Sequence, residues 1–133
     1  KVKRGIKISY ENDKKNTYLI KGIENRIEQI IANLLDNAIS FSNDNEEVLV
    51  KVSKSNDDKV IMNVLDEGEG FKEKDTKKIF NRFYSNRPDK FGEHSGLGLN
   101  IVKNLVDLHN AVIKASNRVD KKGASMEVIF PNT

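Results

Sequence analysis

The chain has 133 residues, the size of one domain, with 37% hydrophobic and 32% charged side chains, so it carries enough apolar content for a core beneath a heavily solvated surface. Its 23 basic and 20 acidic residues are scattered, which argues against nucleic acid as a partner. There is no cysteine, so disulfide scaffolds, thiolate zinc sites and cysteine nucleophiles are excluded; His94 and His109 are too few for a histidine-rich metal site, and no apolar run is long enough to cross a membrane or form a signal-peptide core.

Within residues 1–22, Ile6, Ile8 and Tyr10 alternate with polar residues and Tyr18 and Ile20 again stand two apart, with the polar run 11–16 between the two sets. This predicts two short strands joined by a turn. From residue 23 to 42 the period changes. Ile27, Ile30, Ile31, Leu34, Leu35, Ala38 and Phe41 fall at helical spacing, and Asn43-Asp44-Asn45 ends the helix. Val48, Val50 and Val52, then Val60, Met62, Val64 and Asp66, alternate on either side of a turn at residues 55–58, which predicts a hairpin. Parity turns Val48, Val50, Val52, Met62 and Val64 toward the helices and Leu49, Ile61 and Leu65 away from them.

A charged stretch at residues 72–78 reads as helical, and Phe80, Phe83 and Tyr84 form an aromatic cluster. Residues 85–95 contain Pro88 and Gly92 without periodicity and read as a long mobile loop. A second helix follows, with Ile101, Val102, Leu105, Val106 and Leu108 on its apolar side; residues 111–116 and 126–130 close the chain as strands, with Gly123 in the turn. The order β-β-α-β-β-(α)-loop-α-β-β predicts an α/β (α+β) two-layer sandwich, in which a mixed, mostly antiparallel sheet carries its helices on one face. Residues 1–133 form a single domain on this reading.

Five of the eight glycines lie between Gly68 and Gly98, in the pairs Gly68/Gly70 and Gly96/Gly98. Such pairs let backbone N–H groups approach a phosphate or a ring, though either pair alone is equally an ordinary turn. A third glycine three residues on would complete a dinucleotide fingerprint, but Glu73 and Ile101 occupy those positions, and a Gly-Lys-Ser/Thr phosphate loop is absent. Asn33 and Asn37 are four apart, so their amides share a helix face. Either they bond to solvent on the flank of the stripe, or their oxygens serve a hard cation such as Mg²⁺. Asp66 ends a strand at inward parity and is either a turn cap or an acceptor for an exocyclic amine.

These segments together resemble the catalytic ATP-binding domain of bacterial sensor histidine kinases, within the fold family shared with gyrase, Hsp90 and MutL and known as the Bergerat or GHKL fold. Asn33-Leu34-Leu35-Asp36-Asn37-Ala38 resembles the N box, and Asp66-Glu67-Gly68-Glu69-Gly70 the G1 box. Ile79-Phe80-Asn81-Arg82-Phe83-Tyr84 resembles the F box, Ser95-Gly96-Leu97-Gly98-Leu99 the G2 box, and Gly123-Ala124-Ser125 before a strand and Pro131 the closing glycine-threonine motif. Residues 37–42 and 82–88 are similar to the envelope sensors of the ChvG/ExoS type.

The resemblance implies ATP and Mg²⁺ as ligands. It gives Asn37 the metal and Asn33 the phosphate end, both as catalytic residues. It gives Asp66 the adenine amino group with help from the Ser125 hydroxyl, lays Phe41 against the base, and has Gly68 and Gly70 permit close approach. Gly96, Leu97 and Gly98 open the second long helix toward the phosphates, Ser95 adds a hydroxyl, and residues 85–95 form a lid. Four positions depart from the family pattern: Ser40 and Ser85 stand where many members carry a cation, and Ala124 and Ser125 replace threonines. Arg87 and Lys90 are the candidate replacements for the phosphate cation.

The resemblance further implies transfer of the γ-phosphate to a histidine on a dimerisation domain, then to a response-regulator aspartate. Neither His94 nor His109 stands in an acceptor-like context, so the chain reads as the ATP-binding part of a longer sensor, monomeric by itself, from a homodimeric inner-membrane parent whose catalytic part is cytoplasmic. The alternatives are an ATPase or serine kinase of the same fold, or a non-catalytic nucleotide-binding module. Asn33 stands where those enzymes place a glutamate base, which favours transfer over hydrolysis.

Overall fold

In a computed structural model of the chain, residues 5–12, 20, 22–71, 80 and 97–131 are described. They form strand β1 (Lys7–Asn12), helix α1 (Glu24–Ser40), strands β2 (Glu47–Lys54) and β3 (Val60–Leu65), helix α2 (Leu97–Leu108), and strands β4 (Val112–Asn117) and β5 (Ala124–Phe130). The five strands make one sheet in the order β1-β2-β3-β5-β4. β1 and β2 run parallel, and the other three pairs are antiparallel. The mixed, mostly antiparallel two-layer reading therefore holds. The expected second N-terminal strand falls on residues of which only Ile20 is described, and Ile20 lies outside any strand. The expected helix at 72–78, Phe83, Tyr84 and the loop 85–95 lie outside the described residues.

Strand parity works as the alternation predicts. Val60, Met62 and Val64 are buried while Ile61, Asn63 and Leu65 are half-buried, and Val50 and Val52 face Val64 and Met62 across the β2–β3 pair. Among the described residues six apolar side chains have no exposed surface: Ile30, Leu34, Val48, Val102, Val106 and Val128. Each contributes about 1.5–3 kcal/mol through burial.

The second helix corrects its predicted face. Ile101 and Leu108 are 38% and 61% exposed. The buried stripe is Val102, Leu105, Val106 and His109, spaced i, i+3, i+4, i+7, and Ile101 and Leu108, seven apart, share a different azimuth.

His109 bridges the two helices. Its Nδ1 lies 2.8 Å from the Leu105 carbonyl, and its Nε2 accepts the backbone N–H of Ile23 at 3.1 Å. The ring is thus the neutral Nδ1–H tautomer, donating at one nitrogen and accepting at the other. Ile23 is the N-cap of α1 and has no side-chain cap of its own, so the imidazole meets a donor that the helix leaves unpaired.

This bond joins the start of α1 to the end of α2, and the two helices pack along each other, so they run antiparallel. From His109 back to Gly98 the helix rises about 16 Å, and the same rise along α1 from Ile23 reaches Leu34. The first turn of α2 therefore arrives level with the turn holding Asn33 and Asn37. The strands agree with this arrangement. Only residues 41–46 separate α1 from β2, and β3 ends opposite the first half of β2, so the end of α1 and the Asp66 loop share one edge of the sheet.

Replacing His109 by alanine strands the Ile23 N–H at a part-buried site and is expected to lower stability by about 1–3 kcal/mol in urea unfolding. Gly22→Ala is expected to act in the same direction, because its Cβ would lie 2.6 Å from the imidazole Cδ2. Unchanged midpoints in both variants would remove the ring from the helix junction.

Candidate functional site

Three groups converge at that edge of the sheet: the last turns of α1, the loop after β3, and the first turn of α2. Asn37 is 5% exposed, and Asn33, one turn earlier on the same face, is half-buried. Among the described residues, the side-chain amide of Asn37 has no hydrogen-bond partner, although its backbone carbonyl accepts the Phe41 N–H at 3.2 Å. A buried amide left unpaired costs about 1–3 kcal/mol, so a polar ligand that meets it recovers this energy. Phe41 caps the C-terminus of α1 and is buried, but it stands outside the main core cluster. Ser40, where a phosphate cation was sought, is buried at the end of the helix.

Asp66 is 2% exposed and differs from Asn37 in being firmly held. Its Oδ1 accepts the N–H of Gly68 at 2.9 Å and of Ala124 at 3.1 Å, and its own N–H donates to the Ala124 carbonyl at 3.0 Å. The direction of the carboxylate is therefore set by backbone donors.

This geometry corrects the role expected of Ser125. Strand alternation puts Ala124 on the face of Asp66 and turns Ser125 to the opposite face, where it sits between Leu65 and Ser116 in register. Ser125 lines a separate cavity of about 410 Å³ with Phe80, Lys114, Ser116 and Glu127, and neither Asp66 nor the two asparagines belong to that lining.

Gly70 is also accounted for by the fold. It has φ +79°, and a Cβ there would meet Asn117 Oδ1 at 2.5 Å. Asn117 clamps Phe71 from both sides, accepting its N–H at 2.6 Å and donating to its carbonyl at 3.0 Å. Gly68 is buried and has its N–H committed to Asp66. Gly98 differs: beyond its own helix turn, no atom of the described residues lies within 4 Å of the place a Cβ would occupy. Leu97 opens that helix. Arg87, Lys90, Ser95, Gly96 and His94 lie outside the described residues.

Sequence reasoning missed the support beneath the Asp66 loop. Arg118 Nη1 donates to the Asp66 carbonyl at 3.1 Å, and its Nε and Nη2 fork onto Asp120 at 3.0 and 2.8 Å. Glu67 accepts the Glu47 N–H at 2.7 Å and pairs with Lys121 at 3.1 Å, and these two contacts, in that order, hold its carboxyl below the usual range. The only local signal was a strand ending in Asn117-Arg118 before a glycine turn, which carries no periodicity.

Residues 22–133 match the sequence family described as histidine kinase-, DNA gyrase B-, and HSP90-like ATPase. Sensor protein ChvG of Agrobacterium fabrum is 38% identical over 128 residues, covering 91% of this chain and 21% of that protein. Signal transduction histidine-protein kinase ArlS of Staphylococcus aureus is 35% identical over 84% of this chain and 25% of its own length. The chain thus spans between a fifth and a quarter of these relatives. Among solved structures, the catalytic domain of histidine kinase ThkA is similar with a TM-score of 0.81 and 27% identity, over 97% of this chain and 80% of that one. ThkA in complex with response regulator protein TrrA superposes with a TM-score of 0.75, over 96% of this chain and 34% of that one.

The Arg118 fork depresses the Asp120 carboxyl to about 2. Because the folded value is lowered, the stability this pair contributes is present above the ordinary carboxylate value of about 3.9 and is lost as pH falls toward 2. A carboxyl NMR titration is expected to show the low midpoint in the parent and a return toward the ordinary value in Arg118→Met. A midpoint that does not move would break the assigned pair.

Proposed function

The chain belongs to the histidine kinase-, DNA gyrase B- and HSP90-like ATPase family, and from that membership we propose that it binds Mg-ATP and donates the γ-phosphoryl group to a histidine on a separate dimerisation domain of a sensor kinase. That histidine then passes the group to an aspartate on a response regulator. The observation that carries the reading is the buried amide of Asn37, which has no partner among the described residues and sits at the edge where the Asp66 loop and the first turn of α2 meet.

The residues present fit the ligand. Asn37 offers a neutral oxygen to a hard cation, and Asn33 offers a second on the same face. Bound Mg²⁺ supplies charge neutralisation on the phosphate oxygens. Asp66 presents a fixed acceptor to the amino group of adenine, Phe41 lies against the ring, and Gly68 and Gly70 keep the loop low beside the base. No described atom beyond its own helix turn crowds Gly98, which leaves room for phosphate at the start of α2, where free N–H groups and the helix dipole favour negative charge. By the family resemblance we also assign Ser95, Gly96 and Leu97 to the phosphate end, with Arg87 as the phosphate cation.

Transfer is favoured over hydrolysis because Asn33 cannot take a proton. A general base is worth about 10²–10⁴ in rate, and without one at this position water attack goes unassisted. The protein's task is then positioning, which dominates phosphoryl transfer. The solved complex of ThkA with a response regulator protein supports the relay step for this chain by likeness. We place the domain on the cytoplasmic side of a membrane-anchored, homodimeric sensor, where ATP is available; no described helix is long and apolar enough to cross a membrane itself.

Asn37→Ala is expected to abolish the Mg-dependent part of ATP binding in calorimetric titration with little loss of apo stability, since the amide it removes has no partner among the described residues. Parental Mg-ATP binding in this variant would discard the metal assignment. Asp66→Asn is expected to lower affinity for ATP more than for GTP, because the amide can turn a donor toward a donor. Equal losses would remove Asp66 from base recognition.

Incubated with γ-labelled ATP, the domain is expected neither to label itself nor to release phosphate quickly. It is expected to label a dimeric acceptor-hairpin protein of the same parent, more weakly than within one chain. Brisk phosphate release by the domain alone would establish the ATPase alternative instead.

A further inference from the structure

We propose that Arg118 is a positioning residue for base selection: from the turn between β4 and β5 it fixes the main chain at Asp66 and thereby the direction of the carboxylate that reads the base. The inference rests on the reading of Asp66 as base acceptor.

Both backbone polar groups of Asp66 are held by the β4–β5 hairpin. Its N–H donates to the Ala124 carbonyl at 3.0 Å, and its carbonyl accepts Arg118 Nη1 at 3.1 Å. The first contact belongs to the continuing sheet, whereas the second depends on one side chain. The turn itself presses against the same carbonyl. Gly123 has φ +136°, and a Cβ on it would lie 1.9 Å from Asp66 O, so only glycine permits the approach. The Arg118 N–H closes the turn by donating to Gly123 O at 2.9 Å.

The chemistry of the guanidinium explains why arginine fills this place. Its donors are coplanar, and here they divide between two tasks. Nε and Nη2 fork onto the two carboxylate oxygens of the exposed Asp120, which fixes the plane, and Nη1 is thereby aimed at the Asp66 carbonyl. The Arg118 side chain is 6% exposed, so the fork is largely shielded from water on the arginine side. Lysine would keep the charge but could not hold both partners in one plane. Because orientation errors of an ångström are felt at a recognition site, slackening this anchor acts on the carboxylate direction without touching the asparagines or α2.

The test compares ATP and GTP affinity, by competition titration on the full chain, for parent, Arg118→Met, Arg118→Lys, Asp120→Asn and Asp66→Asn. Arg118→Met is expected to weaken ATP about tenfold while GTP changes much less, which collapses the ATP-to-GTP ratio. Arg118→Lys is expected to lose part of the ratio and Asp120→Asn a smaller part, through loss of the fixed plane. The ATP-to-ADP ratio and the Mg²⁺ dependence should stay parental in all three, because the phosphate end is untouched. A purely structural role would lower melting temperature and leave the base ratio unchanged.

A folded Arg118→Met that keeps the parental ATP-to-GTP ratio overturns the inference. Should that variant fail to fold by circular dichroism, a parental ratio in both Arg118→Lys and Asp120→Asn overturns it equally. Asp66→Asn separates the two levels. If it leaves the ratio intact, the base reading fails and the inference falls with it; if it collapses the ratio while the arginine and Asp120 variants do not, only the positioning role is lost.

Discussion

The imidazole of His109, bonded to the first N–H of α1 from the last turn of α2, sets the two helices in opposite directions. That constraint organises the molecule. Once the start of α1 lies against the end of α2, the other ends of both helices must meet, and the turn holding the asparagines of α1 comes level with the first turn of α2. A parallel pair would place these groups at opposite ends of the sheet. The short connection from α1 to β2 and the antiparallel return of β3 then deliver Asp66 to the same edge.

Two of the polar side chains buried at that edge are treated differently by the fold. Asp66 is committed: two backbone N–H groups hold Oδ1, and the β4–β5 hairpin holds its peptide on both sides. Asn37 has no side-chain partner among the described residues. In the proposed function the first group, oriented before any ligand arrives, would read the donor pattern of the base, and the second would be completed by what binds. A rigid base end and an open cation end would suit a nucleotide whose base varies little in position while its triphosphate must be presented to a second protein.

The Asp66 loop is held from beneath by residues far away in sequence. Asn117, Arg118, Lys121 and Gly123 reach residues 66–71 through a side-chain clamp, a guanidinium, an ion pair and a glycine contact. None of these is a ligand group in the proposed chemistry. Their spacing from Asp66 along the chain means that the hairpin β4–β5 and the loop after β3 must form together, which makes the shape of the base end a property of the whole sheet.

Periodicity and motif order were legible in the sequence by itself. The switch from alternation to helical spacing located α1, β2, β3, β4 and β5, because each element buries one face and that requirement is written residue by residue. The asparagine pair, the acidic residue at inward parity and the ordered glycine boxes pointed to the family, since ligand-contacting residues of this fold lie in short contiguous segments. Tertiary structure alone decided the rest. That Ile101 and Leu108 face outward depends on which of two apolar azimuths of α2 meets the core, and both satisfy helical spacing. That Ala124 and not Ser125 accompanies Asp66 depends on the register between β3 and β5. His109 as a neutral strut and Arg118 as an anchor each depend on a partner 86 and 52 residues away. Local sequence encodes which face a segment buries; it does not encode which distant backbone group a polar side chain will meet, because that is fixed only when the layers close.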